Sequence, residues 1–182
     1  MPITVRFVGS GDSFGSGGRF QTCIVVDGPA SRFAIDFGTS SLIALAQQGI
    51  EHNSVDAILL SHLHGDHCGG VPFLLIDAML AARRTRPLTI AGPRALRVRM
   101  DAIQEALFPG SGVMTPKFPI EWIEMEPGRP HRVLDLTVTP PLLQALAHDP
   151  AVYGYDLSRL RVLFCSAAPC PPLRADAANI PR

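Results

Sequence analysis

The alternation of apolar and polar positions predicts a mixed order of short strands and helices. Short apolar or alternating runs bounded by glycine, proline and polar residues are typical of strands. Such runs cover residues 3–8, 21–26, 32–37, 55–60, 88–91, 120–124, 131–134 and 136–139. Segments with helical composition lie at residues 40–48, 70–86 and 93–107. These patterns indicate an α+β protein in which the last three strands form a second sheet.

Residues 61–70 carry the most informative pattern, because four side chains of metal-binding type fall within six positions. They are His62, His64, Asp66 and His67. The preceding apolar run predicts a buried strand and the following segment a helix. The four side chains are therefore expected on the connecting loop, where functional residues concentrate.

The spacing of these side chains favours one or two metal ions. In extended backbone, residues two apart point the same way, so His62 and His64 can bind one ion. Gly65 permits a bend, after which Asp66 and His67 can face a second ion, as in two-metal hydrolytic sites with separations of roughly 3.5 to 4 Å. These donors suit zinc best, with iron and manganese as alternatives. The competing interpretation is a polar loop in which Asp66 only caps a helix.

Two stretches resemble one known family. They are Phe-Val-Gly-Ser-Gly-Asp at 7–12, continued by the glycine-rich 15–23, and Leu-Ser-His-Leu-His-Gly-Asp-His-Cys-Gly-Gly at 60–70. Together they resemble the ribonuclease Z-like and phosphodiesterase-like branch of the metallo-β-lactamase superfamily. The resemblance extends from about residue 3 to residue 164 and implies a four-layer αββα sandwich.

The resemblance also implies a division of the metal-binding residues between two sites. His62 and His64 would bind the first ion together with His148, which follows an apolar segment and precedes Tyr-Gly-Tyr as the family's next ligand histidine does. Asp66 and His67 would bind the second ion. Asp66 would also lie close enough to the attacking water to orient it or take its proton.

Asp36 stands between two apolar residues at the end of a predicted strand. A carboxylate in such a place needs hydrogen-bond partners. The resemblance implies that Asp36 supports the metal-binding loop by orienting a ligand such as His62 or His64. The alternative is an N-cap for the helix at 40–48.

The C-terminal part departs from the family pattern. Where relatives carry an Asp that bridges both metals, residues 164–169 read Phe-Cys-Ser-Ala-Ala-Pro, and the family's further αβ portion with its last histidine ligand has no counterpart before residue 182. We therefore expect a partial domain at 1–165, an irregular Pro- and Ala-rich tail at 166–182 and an incomplete second half of the sandwich. Apolar surface exposed there could be covered by a second copy of the chain.

The composition limits the class of partner. The 182 residues include 16 basic and 16 acidic side chains, so the formal net charge is zero and no broad basic surface for RNA is expected. The short loop at 108–119 also contrasts with the long arm of tRNA-processing relatives. The basic cluster of Arg83, Arg84 and Arg86 is expected to interact favourably with the negative, C-terminal end of the preceding helix dipole.

The expected compartment is the cytoplasm, because neither a signal peptide nor a membrane span is evident. The four cysteines have no motif spacing and are expected to be buried or inert thiols; they are Cys23, Cys68, Cys165 and Cys170.

These observations predict a zinc-dependent hydrolase acting on phosphodiester bonds of a small nucleotide-like ester or an RNA end. Two alternatives stay open. One is a thioester or lactam hydrolase of the same superfamily, since the histidine motif is shared. The other is a catalytically inactive metal-binding fragment, which the missing bridging Asp and last His ligand favour.

Overall fold

The computed structural model of the protein describes residues 3–134 and 136–138. The strands are β1 Thr4–Gly9, β2 Cys23–Asp27, β3 Arg32–Ile35, β4 Ala57–Leu59, β5 Leu88–Gly92, β6 Ile120–Glu124, β7 His131–Val133 and β8 Leu136–Val138. The helices are α1 Ser41–Gln47, α2 Gly65–Cys68, α3 Val71–Leu80 and α4 Leu96–Leu107. The mixed order of strands and helices confirms the α+β class.

Strands β1 to β6 form one sheet in sequence order. β1, β2 and β3 are antiparallel neighbours, whereas β3, β4, β5 and β6 run parallel. β7 and β8 pair antiparallel in a second, two-stranded sheet. The assignment of residues 120–124 to the second sheet was wrong, because β6 pairs with β5 over its whole length, from Leu88 opposite Ile120 to Gly92 opposite Glu124.

Both faces of the central strands β2 to β5 are buried. On β2, Cys23 and Val25 belong to a core shared with α1, α3 and α4, whereas Ile24 and Val26 belong to a second core shared with β7 and β8. This alternation follows from the two-residue period of a strand. The described residues therefore form three layers in the order helices, large sheet, small sheet.

Helix α3 ends six residues earlier than predicted. After Leu80 the chain turns, and Arg83 adopts a left-handed φ of 50°. Arg84 points into the protein and does not interact with the helix dipole as predicted. Its side chain is only 4% exposed. Its guanidinium donates hydrogen bonds to the carbonyl oxygens of Asn53, Arg86 and Pro87. Burial lowers the pKa of this guanidinium. The basic cluster therefore contributes a buried structural cation.

None of the helices in residues 3–134 has the length and apolar character that crossing a bilayer requires.

We predict that Arg84→Met lowers the free energy of unfolding by about 3 kcal/mol, because it leaves three carbonyl groups without their charged donor. Urea denaturation monitored by circular dichroism measures this change. Arg83→Met is the matched control, since Arg83 is exposed. A loss below about 1 kcal/mol for Arg84→Met would show that water replaces the guanidinium at no cost.

Cys23 and Cys68 are free, buried thiols, as predicted. Burial raises the pKa of Cys23 to about 12 and that of Cys68 to about 11. Cys165 and Cys170 lie outside the described residues.

We expect Cys23 to resist iodoacetamide at pH 8 in the folded protein, because the thiolate is the reactive form and burial suppresses it. Mass spectrometry of the peptide that contains Cys23 measures the labelled fraction, with urea-unfolded protein as the fully reactive control. Equal labelling rates in the folded and unfolded states would contradict the buried position of this thiol.

Candidate metal centre

The candidate site lies where the parallel strands β3 and β4 end side by side. Ile35 of β3 pairs with Leu59 of β4, and the Asp36 N–H donates to the Leu59 carbonyl oxygen at 2.9 Å. The residues that follow both strands therefore meet at one edge of the sheet. This edge carries Asp36 from the first strand and Ser61 from the second, and such strand ends are common binding positions.

Asp36 is fully buried and accepts three hydrogen bonds. Its Oδ1 accepts the Ser61 N–H at 2.7 Å, and its Oδ2 accepts the Ser61 hydroxyl at 2.8 Å and His67 Nδ1–H at 2.7 Å. These donors compensate the cost of burying the carboxylate. The backbone of Asp36 has a φ of 56°, a left-handed conformation that Asp tolerates better than most residues.

Asp36 does not cap helix α1, which was the alternative interpretation. The N-cap position of α1 is Ser40, and the Asp36 carboxylate is occupied by Ser61 and His67. The partner of Asp36 among the histidines is His67, whereas the resemblance had suggested His62 or His64. The Ser61 hydroxyl, which contacts Asp36 Oδ2, lies 3.0 Å from His62 Nδ1 and so links His62 to the carboxylate.

The hydrogen bond to Asp36 and the helical turn that contains His67 set the orientation of its imidazole ring. Residues 65–68 form the one-turn helix α2. Asp66 and His67 therefore lie in a helix, whereas the sequence pattern predicted a loop. His67 is 6% exposed. Since its Nδ1 donates to Asp36, its Nε2 is left as the acceptor nitrogen, and this nitrogen lies 3.5 Å from Asp66 Oδ2.

His62 and His64 form one pair of possible metal ligands, called here the first donor pair, and Asp66 and His67 form the second donor pair. His62 Nε2 and His64 Nδ1 lie 3.1 Å apart, with the two rings nearly perpendicular. The ring centroids of His62 and His67 are 4.1 Å apart. His62 is half-buried and His64 is exposed. The structure therefore brings the three histidines of the motif together.

Two glycines allow this packing. A Cβ at Gly38 would collide with the backbone oxygen of Asp66, and a Cβ at Gly70 would collide with the backbone oxygen of Gly38. The same segments are joined by backbone hydrogen bonds, from Phe37 N–H to the His67 carbonyl and from Gly70 N–H to the Phe37 carbonyl. The segment after β3 thus lies directly against α2.

The donor pairs fit a zinc ion in chemistry and spacing. Two nitrogens bound to one tetrahedral zinc at about 2.0 to 2.1 Å lie roughly 3.3 Å apart. The 3.1 Å between His62 Nε2 and His64 Nδ1 and the 3.5 Å between His67 Nε2 and Asp66 Oδ2 bracket that value. Among residues 3–134 and 136–138, no group of three or more His, Cys, Asp or Glu side chains converges to hold an ion. Each pair supplies two donors.

Two of the other histidines contact backbone groups away from the motif, and the third lies outside the described residues. His52 Nε2 contacts the Leu42 carbonyl oxygen at 2.9 Å, and His131 Nε2 accepts the Glu126 N–H at 2.8 Å. His148, the predicted third ligand of the first ion, lies outside the described residues.

The glycine-rich loop is anchored beside the site. Gln21 N–H donates to Ser40 Oγ at 2.8 Å, and Gln21 Oε1 accepts the Thr39 N–H at 2.7 Å. Farther out, the Asp12 carboxylate accepts the Ser16 hydroxyl at 2.6 Å and the Ser16 N–H at 3.0 Å, which hold its pKa below the usual value. Phe14 is 92% exposed on this loop.

The chain also matches a characterised family. The model of the anti-Pycsar protein Apyc1 family matches residues 3–105, which is more than half of the sequence. The chain belongs to this family. Its curated relatives include the ribonuclease Z of Lachnoclostridium phytofermentans, 31% identical over 142 residues, and that of Lachnospira eligens, 30% identical over 149 residues.

Solved structures identify the fold of this family member. The human tRNase Z, short form, aligns with a TM-score of 0.56 and 26% identity over 66% of this chain and 44% of that chain. The metallo-β-lactamase fold protein YhfI from Bacillus subtilis aligns with a TM-score of 0.55 and 20% identity over 76% of this chain and 52% of that chain. The protein is therefore a ribonuclease Z-like member of the metallo-β-lactamase superfamily, with that superfamily's α+β fold.

The family member spans about half the length of the curated relatives it matches. The alignments cover 77% and 80% of this chain but 43% and 45% of the two ribonuclease Z sequences.

Sequence reasoning missed one polar residue of the site. Ser61 precedes His62 and contacts both Asp36 and His62. The available signal was its position, since a polar side chain at the end of a fully buried strand needs a partner.

We predict that Asp36→Asn lowers the free energy of unfolding of the zinc-free protein by about 3 kcal/mol. Asn also tolerates the left-handed φ, so the change isolates the hydrogen bonds. Its amide group has only one acceptor oxygen and would turn an N–H₂ toward one of the donors, which loses charge-assisted bonds from Ser61 or His67.

Urea denaturation in the presence of a chelator measures this effect. Asp101→Asn is the control, because Asp101 lies on the exposed face of α4. Equal stabilities for the two variants would mean that the buried carboxylate does not support the local structure.

Proposed function

We propose that this protein is a zinc-dependent hydrolase of phosphodiester bonds. The observation that carries the proposal is the pair of donor sets, His62 Nε2 with His64 Nδ1 and Asp66 Oδ2 with His67 Nε2, gathered beside a buried carboxylate. The relatives named ribonuclease Z and tRNase Z support the reaction class. Manganese or iron could replace zinc at such donors.

We assign the first ion to His62, His64 and His148. A catalytic zinc site takes three protein ligands and keeps one position open. His148 supplies the third imidazole in this assignment, within a domain proposed to extend over residues 1–165.

Asp66 and His67 bind the second ion in this proposal. When bound, zinc would act as a Lewis acid and lower the pKa of its water to about 7. His67 is held in place by Asp36, so its Nε2 keeps its direction without reorganisation. The part-buried Asp66 carboxylate orients the attacking water and receives its proton.

A small nucleotide-like ester fits the described surface better than a long RNA. Several arginines are paired with nearby carboxylates, which weakens any extended positive field; they are Arg6, Arg32, Arg86, Arg94, Arg97 and Arg129. The loop after α4 is held close to that helix, because Glu105 accepts the Gly110 and Gly112 N–H groups. This short, tethered loop leaves no long arm in that position for gripping tRNA.

We predict that Asp66→Asn lowers kcat/KM for bis(p-nitrophenyl) phosphate about 10³-fold in zinc-loaded protein, the usual scale for a lost general base. Release of p-nitrophenol measures the rate, and Asp101→Asn is the control, expected to match the unsubstituted protein. Removal of zinc by a chelator should abolish the activity, and added zinc should restore it.

A substrate panel separates the competing functions. A cyclic nucleoside monophosphate, a tRNA with a 3′ extension, a thioester and a β-lactam are tested with the same zinc-loaded protein. Faster cleavage of the cyclic nucleotide than of the tRNA is the expected result. Stoichiometric zinc without turnover of any substrate would contradict a hydrolase and favour a metal-binding module.

A further inference from the structure

Ser61 occupies a position between the buried carboxylate and the first donor pair. Its side chain is buried, and its hydroxyl oxygen lies 2.8 Å from Asp36 Oδ2 and 3.0 Å from His62 Nδ1. Its backbone N–H donates to Asp36 Oδ1. The hydroxyl thus contacts a carboxylate on one side and an imidazole nitrogen on the other.

A serine hydroxyl has one proton to donate, and its placement follows from the partners. An ionised carboxylate only accepts hydrogen bonds, and Asp36 Oδ2 already accepts from His67 Nδ1. The Ser61 proton therefore points to Asp36 Oδ2. The hydroxyl oxygen is then an acceptor toward His62, so Nδ1 of His62 must carry the proton.

This assignment fixes which nitrogen of His62 is available. With the proton on Nδ1, the lone pair of the neutral ring is on Nε2. Nε2 is the atom that faces His64 Nδ1 at 3.1 Å. The tautomer set by Ser61 is thus the one that the first donor pair requires.

We infer that Ser61 is a positioning residue through which Asp36 sets the tautomer of His62, so that one buried carboxylate orients a histidine in each donor pair. Asp36 acts on His67 directly and on His62 through the hydroxyl. The purpose of this arrangement rests on the proposed metal-dependent function, but the tautomer itself does not.

Nitrogen-15 NMR of the imidazole rings in zinc-free protein tests the inference. In the unsubstituted protein we expect the Nδ1–H tautomer at His62. Ser61→Ala removes the acceptor and should raise the population of the Nε2–H form. Ser61→Thr keeps the hydroxyl and should keep the tautomer. Valine has nearly the same shape as threonine but lacks the hydroxyl, so Ser61→Val should behave like Ser61→Ala.

Zinc affinity, measured by competition with a chromogenic chelator, is the second readout. We expect Ser61→Ala and Ser61→Val to bind zinc about 10-fold to 100-fold more weakly, the usual cost of losing a partner that orients a ligand. Ser111→Ala is the matched control, because Ser111 is equally buried and its hydroxyl has no hydrogen-bond partner among the described residues.

The outcomes separate this inference from the proposed function. An Nδ1–H tautomer at His62 that persists in both Ser61→Ala and Ser61→Val would overturn the inference, even if the protein hydrolyses phosphodiesters. A shifted tautomer in a protein that cleaves no phosphodiester would support the inference and contradict the function. The Thr and Val pair keeps the test decisive if Ser61→Ala unfolds.

Discussion

The hydrogen bonds of one buried carboxylate organise the candidate site. Asp36 has no exposed surface and accepts bonds from the backbone and hydroxyl of Ser61 and from His67. An unpaired charge in this place would cost several kcal/mol, so the fold must deliver all three donors. Because the donors come from the end of β4 and from α2, satisfying the carboxylate also fixes the segments that carry the candidate metal ligands.

The sheet makes this arrangement rigid. Burial of both faces holds β3 and β4 in register, so Asp36 and Ser61 emerge at the same edge. Gly38 and Gly70 let the segment after β3 lie against α2 at a distance that no side chain would permit. A set of side chains carried by strand ends and a short helix is better preorganised than one carried by a long loop, which agrees with the metal-binding role proposed for it.

The sequence pattern predicted which residues form the candidate site but not the contacts among them. The apolar run that became β4 and the His-rich motif after it were evident, because strand burial and donor spacing are local properties. The burial of Arg84 was not evident from the sequence, because its partner Asn53 lies 31 residues away and their contact depends on tertiary packing. The Ser61 hydroxyl and the parallel pairing of β6 with β5 were missed for the same reason. The prediction for His148 lies outside the described residues.

Anomalous diffraction at the zinc edge from crystals of zinc-loaded protein would show where the ion binds relative to the histidines of the motif. We expect a zinc peak at about 2.0 to 2.1 Å from both His62 Nε2 and His64 Nδ1, with His67 Nδ1 still hydrogen-bonded to Asp36. Zinc bound through His62 Nδ1, zinc bound away from the motif, or an Asp36 carboxylate separated from His67 would contradict it.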